Sequence, residues 1–264
     1  MNFSIHQASH IGNRKFNQDR VAYAYNHDML LLVLADGMGG HLHGEVAANL
    51  AVETFVTAFL EQTEHSLDNP QIFLNNTMRV AHRQILEFKY DGSKGDSPGT
   101  TCVAVLIKAD KLYFGHAGDS RMYVIRGDKV LVKTQDHSLV SHWVEWGIIS
   151  AQEAQHHPQR NQITNCLGGL EDVFYMDMGT TLPLLADDVI LLASDGLWSP
   201  FSDEELVEAV QSVQVDQVLD TLVSTALVRE KGHADNTTGL LMRWGGRESA
   251  PFPRKPISHI LEIL

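Results

Sequence analysis

The 264-residue sequence has only two cysteines, Cys102 and Cys166, a shortage of basic residues and no long hydrophobic run. Each shortage excludes something. Two cysteines cannot make a disulfide framework, and they fit a reducing compartment. With 20 Lys and Arg against 33 Asp and Glu, the formal net charge is −13. That argues against general nucleic-acid binding, where phosphate contacts need a basic surface. No apolar stretch approaches the roughly 18 residues that span a bilayer. The start, Met1-Asn2-Phe3-Ser4-Ile5-His6, lacks the basic n-region and apolar block of a secretory signal. No internal repeat or low-complexity segment stands out. The expectation is a cytoplasmic, monomeric protein with no membrane or nucleic-acid partner.

What is present is a pair of apolar runs that each end in Asp-Gly. Met29-Leu30-Leu31-Leu32-Val33-Leu34-Ala35 stops at Asp36-Gly37-Met38-Gly39-Gly40-His41, and Val189-Ile190-Leu191-Leu192-Ala193-Ser194 stops at Asp195-Gly196. Short apolar runs closed by turn residues read as buried strands. A carboxylate at the mouth of such a strand is held rigidly at the edge of the core. Two of them suggest one shared site, and converging carboxylates suit a hard divalent cation.

The hydrophobic fraction of 44% supports a sizeable core. Strand patterns cover 2–8, 20–26 and 29–35, and helical spacing covers 45–60 and 70–88, with Pro70 suited to a first turn. A polar loop, 91–99, leads to strands at 101–107, 111–116, 121–126 and 129–133, with tight turns at Ala109-Asp110 and Gly127-Asp128. Residues 138–168 carry little regular pattern and are long for a connection, which favours a functional flap. Within it, Trp143 and Trp146 are read as packing the flap onto the body. Strands follow at 173–178 and 188–193. Ser202-Asp203-Glu204-Glu205 reads as a capping box opening a helix to about residue 211, a second helix covers 215–229, and a strand covers 237–244. Strand blocks with paired helices imply an α+β fold, two packed sheets covered by helices.

Further acidic residues stand at strand ends or turns: Asp19, Asp119 in Gly118-Asp119-Ser120-Arg121, and Asp235. If they converge with Asp36 and Asp195, like charges would force protonation unless cations were present. Oxygen ligands favour Mg²⁺ or Mn²⁺ over zinc, and two such ions can activate water for an in-line displacement. His41-Leu42-His43 offers a zinc-like pair but is outweighed by the carboxylates. Arg14 has the planar fork that suits a phosphate dianion. Together these residues describe phosphate-ester hydrolysis. Any single Asp-Gly is commonly only a turn.

The chain resembles the metal-dependent protein phosphatase family (PPM, the type 2C Ser/Thr phosphatases) in its compact bacterial form. The matching motifs are Arg14-Lys15-Phe16-Asn17-Gln18-Asp19, Asp36 to His41, Gly99-Thr100-Thr101, Gly115-His116-Ala117-Gly118-Asp119-Ser120-Arg121, Asp136-His137-Ser138, Ser194-Asp195-Gly196-Leu197-Trp198 and Asp235-Asn236-Thr237-Thr238, in family order. The resemblance implies a four-layer α-β-β-α sandwich, two antiparallel sheets flanked by helix pairs, over residues 1–245, with 246–264 as a tail. It implies that Asp36 bridges two core ions, that Asp195 and Asp235 complete one shell, and that the Gly37 carbonyl binds the other ion with Asp19 acting through water. Asp119 matches the residue that, with Asp195, holds a third, weaker ion in bacterial members. Arg14 grips the substrate phosphate, and a metal-bridging hydroxide attacks phosphorus directly. Met38 and Gln18 stand where the eukaryotic branch usually carries His and Glu. Met38 cannot donate a proton, which leaves metal-bound water, then His41, as the leaving-group acid. The implied partners are phosphorylated proteins and an opposing Ser/Thr kinase, with type VI secretion control one known setting of compact bacterial members. A binding module with a decayed site and a hydrolase of small phosphate esters are the other classes considered. The complete ligand set disfavours the first.

Overall fold

The computed structural model describes residues 2–38, 43–62, 67–88, 98–169, 174–179, 181–211 and 214–245. Strands β1 (Phe3–His10), β2 (Asp19–Tyr25) and β3 (Met29–Met38) open the chain, followed by helices α1 (Gly44–Leu60) and α2 (Pro70–Glu87). Next come β4 (Gly99–Thr100), β5 (Cys102–Lys108), β6 (Lys111–Ala117), β7 (Arg121–Arg126) and β8 (Lys129–Lys133). Two short helices, α3 (Leu139–Glu145) and α4 (Ala151–Gln155), precede the two-residue strands β9 (Leu167–Gly168), β10 (Asp177–Met178) and β11 (Leu182–Pro183). β12 (Val189–Ala193), α5 (Asp195–Trp198), α6 (Asp203–Ala209), α7 (Val215–Arg229) and β13 (Thr237–Trp244) complete the order.

The strands form two antiparallel sheets. One runs β1-β13-β12-β7-β8; the other runs β10-β6-β5-β3-β4-β9, with β2 also on β3 and β11 on β6. The β3 run is apolar throughout because both of its faces are covered. Met29, Leu31, Val33 and Ala35 pack beneath α1 and α2, beside Phe55, Phe59 and Leu74. Leu30, Leu32 and Leu34 face the other way, against Ile190, Leu192, Leu240 and Met242 of the opposite sheet. That sheet divides likewise: Val189, Leu191, Ala193 and Leu241 meet α5, α6 and α7 through Leu197, Leu206, Leu219 and Leu222. Three apolar layers therefore separate four layers of structure, the α-β-β-α sandwich. Burying one such side chain, Phe55 for instance, stabilises the fold by about 1.5–3 kcal/mol.

Local chemistry sets the ends of the elements. Asn69 caps α2 by accepting from the Gln71 and Ile72 N–H groups, with Pro70 at the first helical position. Ser202 and Glu205 form the capping box of α6. Ala109 and Asp110 both adopt positive φ, 50° and 57°, as a two-residue hairpin turn between β5 and β6 requires.

Three expectations change. Residues 138–168 hold the helices α3 and α4, the latter opened by a Ser150–Glu153 capping box. Of the strand expected over 173–178, the described residues 174–178 keep only Asp177–Met178 as strand. Trp143 lies edge-on to His157 within the flap, and Trp146 is 67% exposed, so Trp146 does not pin the flap to the body. The polar loop at 91–97 and the tail at 246–264 lie outside the described residues.

Candidate metal-dependent active site

The acidic residues singled out in the sequence meet at one end of the sandwich, drawn from both sheets. Asp19 and Asp36 sit opposite each other across the β2–β3 ladder. Asp195 opens α5 directly after β12, Asp235 precedes β13, and Asp119 occupies the turn from β6 to β7. Two glycines make the approach possible. A Cβ on Gly37 would fall 2.2 Å from the Gly44 carbonyl oxygen and 2.7 Å from that of Gln18. One on Gly196 would lie 2.2 Å from the Asn236 oxygen and 3.3 Å from Asp235 Cβ. Both Asp-Gly pairs thus let neighbouring backbone close in beside the carboxylate.

Hydrogen bonds fix each support. The Asp36 N–H donates to Thr101 Oγ1 (3.0 Å), while the Asp36 carbonyl accepts from the Thr101 N–H (2.9 Å) and from Thr100 Oγ1 (2.9 Å). Thr101 Oγ1 also meets Ser120 Oγ at 2.7 Å, joining the Asp36 strand to the Asp119 turn. Ser194 Oγ donates to Asp19 Oδ2 (2.9 Å) and accepts from the Thr238 N–H (3.0 Å), joining the two sheets. Asn236 Nδ2 donates to the carbonyls of Ile11 (2.9 Å) and Phe16 (3.0 Å), and its Oδ1 accepts from the Gln18 N–H (2.8 Å). That grip holds the loop carrying Arg14, whose Nη2 pairs with Asp235 Oδ2 at 2.5 Å.

The electrostatics are those of crowded negative charge. Burial, then the charges of Asp19, Asp195, Asp119 and Asp235, pushes the Asp36 carboxyl well above the ordinary range. Burial, then Asp119, Asp235 and Asp19, does the same to Asp195. Asp19 is pushed up to about 6 chiefly by burial, despite hydrogen bonds from Thr238 and Ser194. Asp119 is pushed up to about 7 by burial and then by Asp136. Asp19 Oδ1 and Asp119 Oδ1 are also buried without a hydrogen-bond partner among the described residues. Orphaned buried oxygens and mutually repelling carboxylates are costly as they stand. Hard divalent cations relieve both costs, and an all-oxygen donor set suits Mn²⁺ or Mg²⁺.

Arg14, Asp19, Asp36, Gly37, Asp119, Asp195 and Asp235 all fall at this end of the fold; His41 lies outside the described residues. Thr100, Thr101, Asn236 and Thr238 occur within the family motifs. Their roles as clamps emerge only from the hydrogen bonds.

A second grouping brings ligand-type atoms of His116, His137 and Asp177 within 4.8 Å of one another. Its hydrogen bonds oppose a metal there. His137 Nδ1 accepts from the Gly118 N–H (3.2 Å) and from Asn165 Nδ2 (2.7 Å), and Asn165 is oriented by the Tyr175 backbone. The His137 proton therefore sits on Nε2, facing Asp177 Oδ2 at 3.1 Å. A metal at Nε2 would leave an imidazolate facing two donors. The grouping instead braces the base of the flap.

The chain matches the family model described as protein phosphatase 2C over residues 6–233. It is 32% identical over 231 residues to protein phosphatase PhpP of Streptococcus pneumoniae, covering 87% of this chain and 92% of that one. The catalytic domain of the serine/threonine phosphatase PstP, solved in complex with two manganese ions, superposes with a TM-score of 0.76 at 30% identity, over 92% of this chain and 98% of that one. PppA, a key regulatory component of T6SS in Pseudomonas aeruginosa, gives 0.75 at 27% identity, over 92% and 98%. The chain belongs to the protein phosphatase 2C family. It is a metal-dependent protein-serine/threonine phosphatase.

Proposed function

We propose that the chain removes phosphate from phosphoserine and phosphothreonine in proteins by direct attack of water-derived hydroxide, without a phosphoenzyme. The observation that carries this reading is the gathering of five carboxylates from both sheets, two with orphaned buried oxygens. Asp36 would be shared by two core ions, with Asp195 and Asp235 on one and the Gly37 carbonyl on the other, Asp19 acting through water. Asp119 and Asp195 would hold a third, weaker ion. When bound, Mn²⁺ or Mg²⁺ supplies Lewis acidity that acidifies water and neutralises phosphate charge. The residues supply placement. The Thr100–Thr101 clamp holds Asp36, and Asn236 holds the Arg14 loop. Met38 offers no proton for the departing oxygen, so site water is assigned that task, with His41 as the side-chain alternative.

Arg14 would grip the substrate phosphate. Its side chain is 60% exposed and, among the described residues, it pairs with Asp235, a carboxylate that a cation would compete for. Arg14→Ala is expected to lower kcat/KM on a phosphothreonine peptide by roughly 10- to 150-fold, the worth of a charged hydrogen-bonded contact. Arg14→Lys should recover only part, because the fork is lost. Steady-state kinetics on the three proteins checks this.

The substrates would be phosphoproteins, with an opposing Ser/Thr kinase in the same pathway. The likeness to PppA supports, as one setting, control of type VI secretion. No helix among the described residues is long and apolar enough to cross a membrane. The site of action would be the cytoplasm. Residues 1–245 would be the phosphatase domain, monomeric, with 246–264 outside it. The test is phosphate release from a phosphothreonine peptide with Mn²⁺, arrested by chelator. Peptide binding without release would make the chain a binding module. Much faster turnover of small phosphate esters would move its substrates to metabolites.

A further inference from the structure

We propose that Trp198 and Arg121 are positioning residues that fix the spacing of Asp119 and Asp195, and so build the site of the weaker third ion. The proposal rests on the reading of Asp119 and Asp195 as ligands. Trp198 is the last residue of α5, the four-residue helix whose first residue is Asp195. Its indole Nε1–H donates to the Asp119 carbonyl oxygen at 2.9 Å. A single helical turn therefore carries one carboxylate at its start and, at its end, the donor that holds the main chain of the other. One oxygen of the Asp119 carboxylate, Oδ1, is buried without a hydrogen-bond partner among the described residues.

Arg121 locks the indole in turn. Its Cζ lies 3.3 Å from the centroid of the Trp198 ring. Its in-plane donors are committed elsewhere: Nε and Nη2 to Asp136 at 2.7 and 2.8 Å, and Nη1 to the Tyr123 hydroxyl at 2.9 Å. The guanidinium face is thus left for the indole, an arrangement lysine cannot reproduce. Both ends of the ion pair are largely buried, with side-chain exposures of 18% and 15%. Asp136 directly precedes His137, so the same lock anchors the start of the flap to the Asp119 turn.

The test is calorimetric titration of Mn²⁺ into metal-free protein, which reads binding apart from turnover. Wild type should show two tight steps and one weak step, and Asp119→Asn should remove the weak step. Trp198→Phe keeps a ring beneath Arg121 and deletes only the donor. It should weaken the weak step about tenfold, the lower end of what loss of a ligand's supporting hydrogen bond costs, and leave the tight steps in place. Arg121→Lys should weaken the same step at least as much. If that variant fails to fold, because Asp136 loses its two-pronged partner, Trp198→Phe carries the test alone. An unchanged weak step in Trp198→Phe, or equal weakening of all three steps, overturns the proposal. If wild type has no weak step, or Asp119→Asn keeps it, the assignment of Asp119 as a ligand fails first, and the proposal falls with it.

Discussion

Replacing Asp36 or Asp195 with asparagine is expected to cut phosphate release from a phosphothreonine peptide at least about a thousandfold, while raising the melting temperature of the metal-free protein. The first effect follows from the several kcal/mol that a metal Lewis acid contributes to such a reaction, at 1.36 kcal/mol per decade of rate. The second follows from repulsion. Both carboxyls sit well above their ordinary range because of burial and neighbouring acids. A neutral amide of the same shape escapes that penalty, the usual trade of stability against function. Rates with saturating Mn²⁺ and thermal melts in chelator measure the two halves. A variant that loses activity and stability together would point to a structural role. One that keeps its rate would remove the residue from the site.

The opposed directions arise because the same residues that make the core also deliver the charges. The run Met29 to Ala35 was legible as a buried strand, since alternate residues serve two different apolar layers and none is polar. The Asp-Gly at its end was legible as a site because a carboxylate there has no structural reason to recur at the end of β12. The capping box at Ser202 and the Pro70 helix start were legible for local reasons, as each signal lies within a few residues. The flap helices are not legible in the sequence, although Ser150 and Glu153 carry the same box, because helices of seven and five residues show no hydrophobic period. The clamps are not legible for another reason. Asn236 bonds to residues 218 to 225 positions away, and Trp198 to one 79 away. Such partnerships have no spacing to read.

Without metal, the protein is expected to lose stability as pH rises from about 4 to about 7, and Mn²⁺ should restore more stability the higher the pH. The sign follows from proton counting. Asp19 and Asp119 have folded values of about 6 and about 7 against 3.8 for the free side chain. Between those limits the folded state holds protons that the unfolded state has released, so stability falls with rising pH. Asp36 and Asp195 act in the same direction. Other groups oppose this. Burial lowers His116 and His137, whose unfolded forms take up protons below about 6.5, and this favours folding at higher pH. Glu205, lowered to about 2 chiefly by Arg229, matters only in more acid solution. The difference between melts with and without Mn²⁺ isolates the carboxylates, because neither histidine is placed among the ligands. An ion at a hundred times its Kd adds about 2.7 kcal/mol. That gain should be present near pH 8 and shrink toward pH 5, as protons compete for the same oxygens. A Mn²⁺ effect that stayed constant across this range would mean the ions bind elsewhere than these carboxylates.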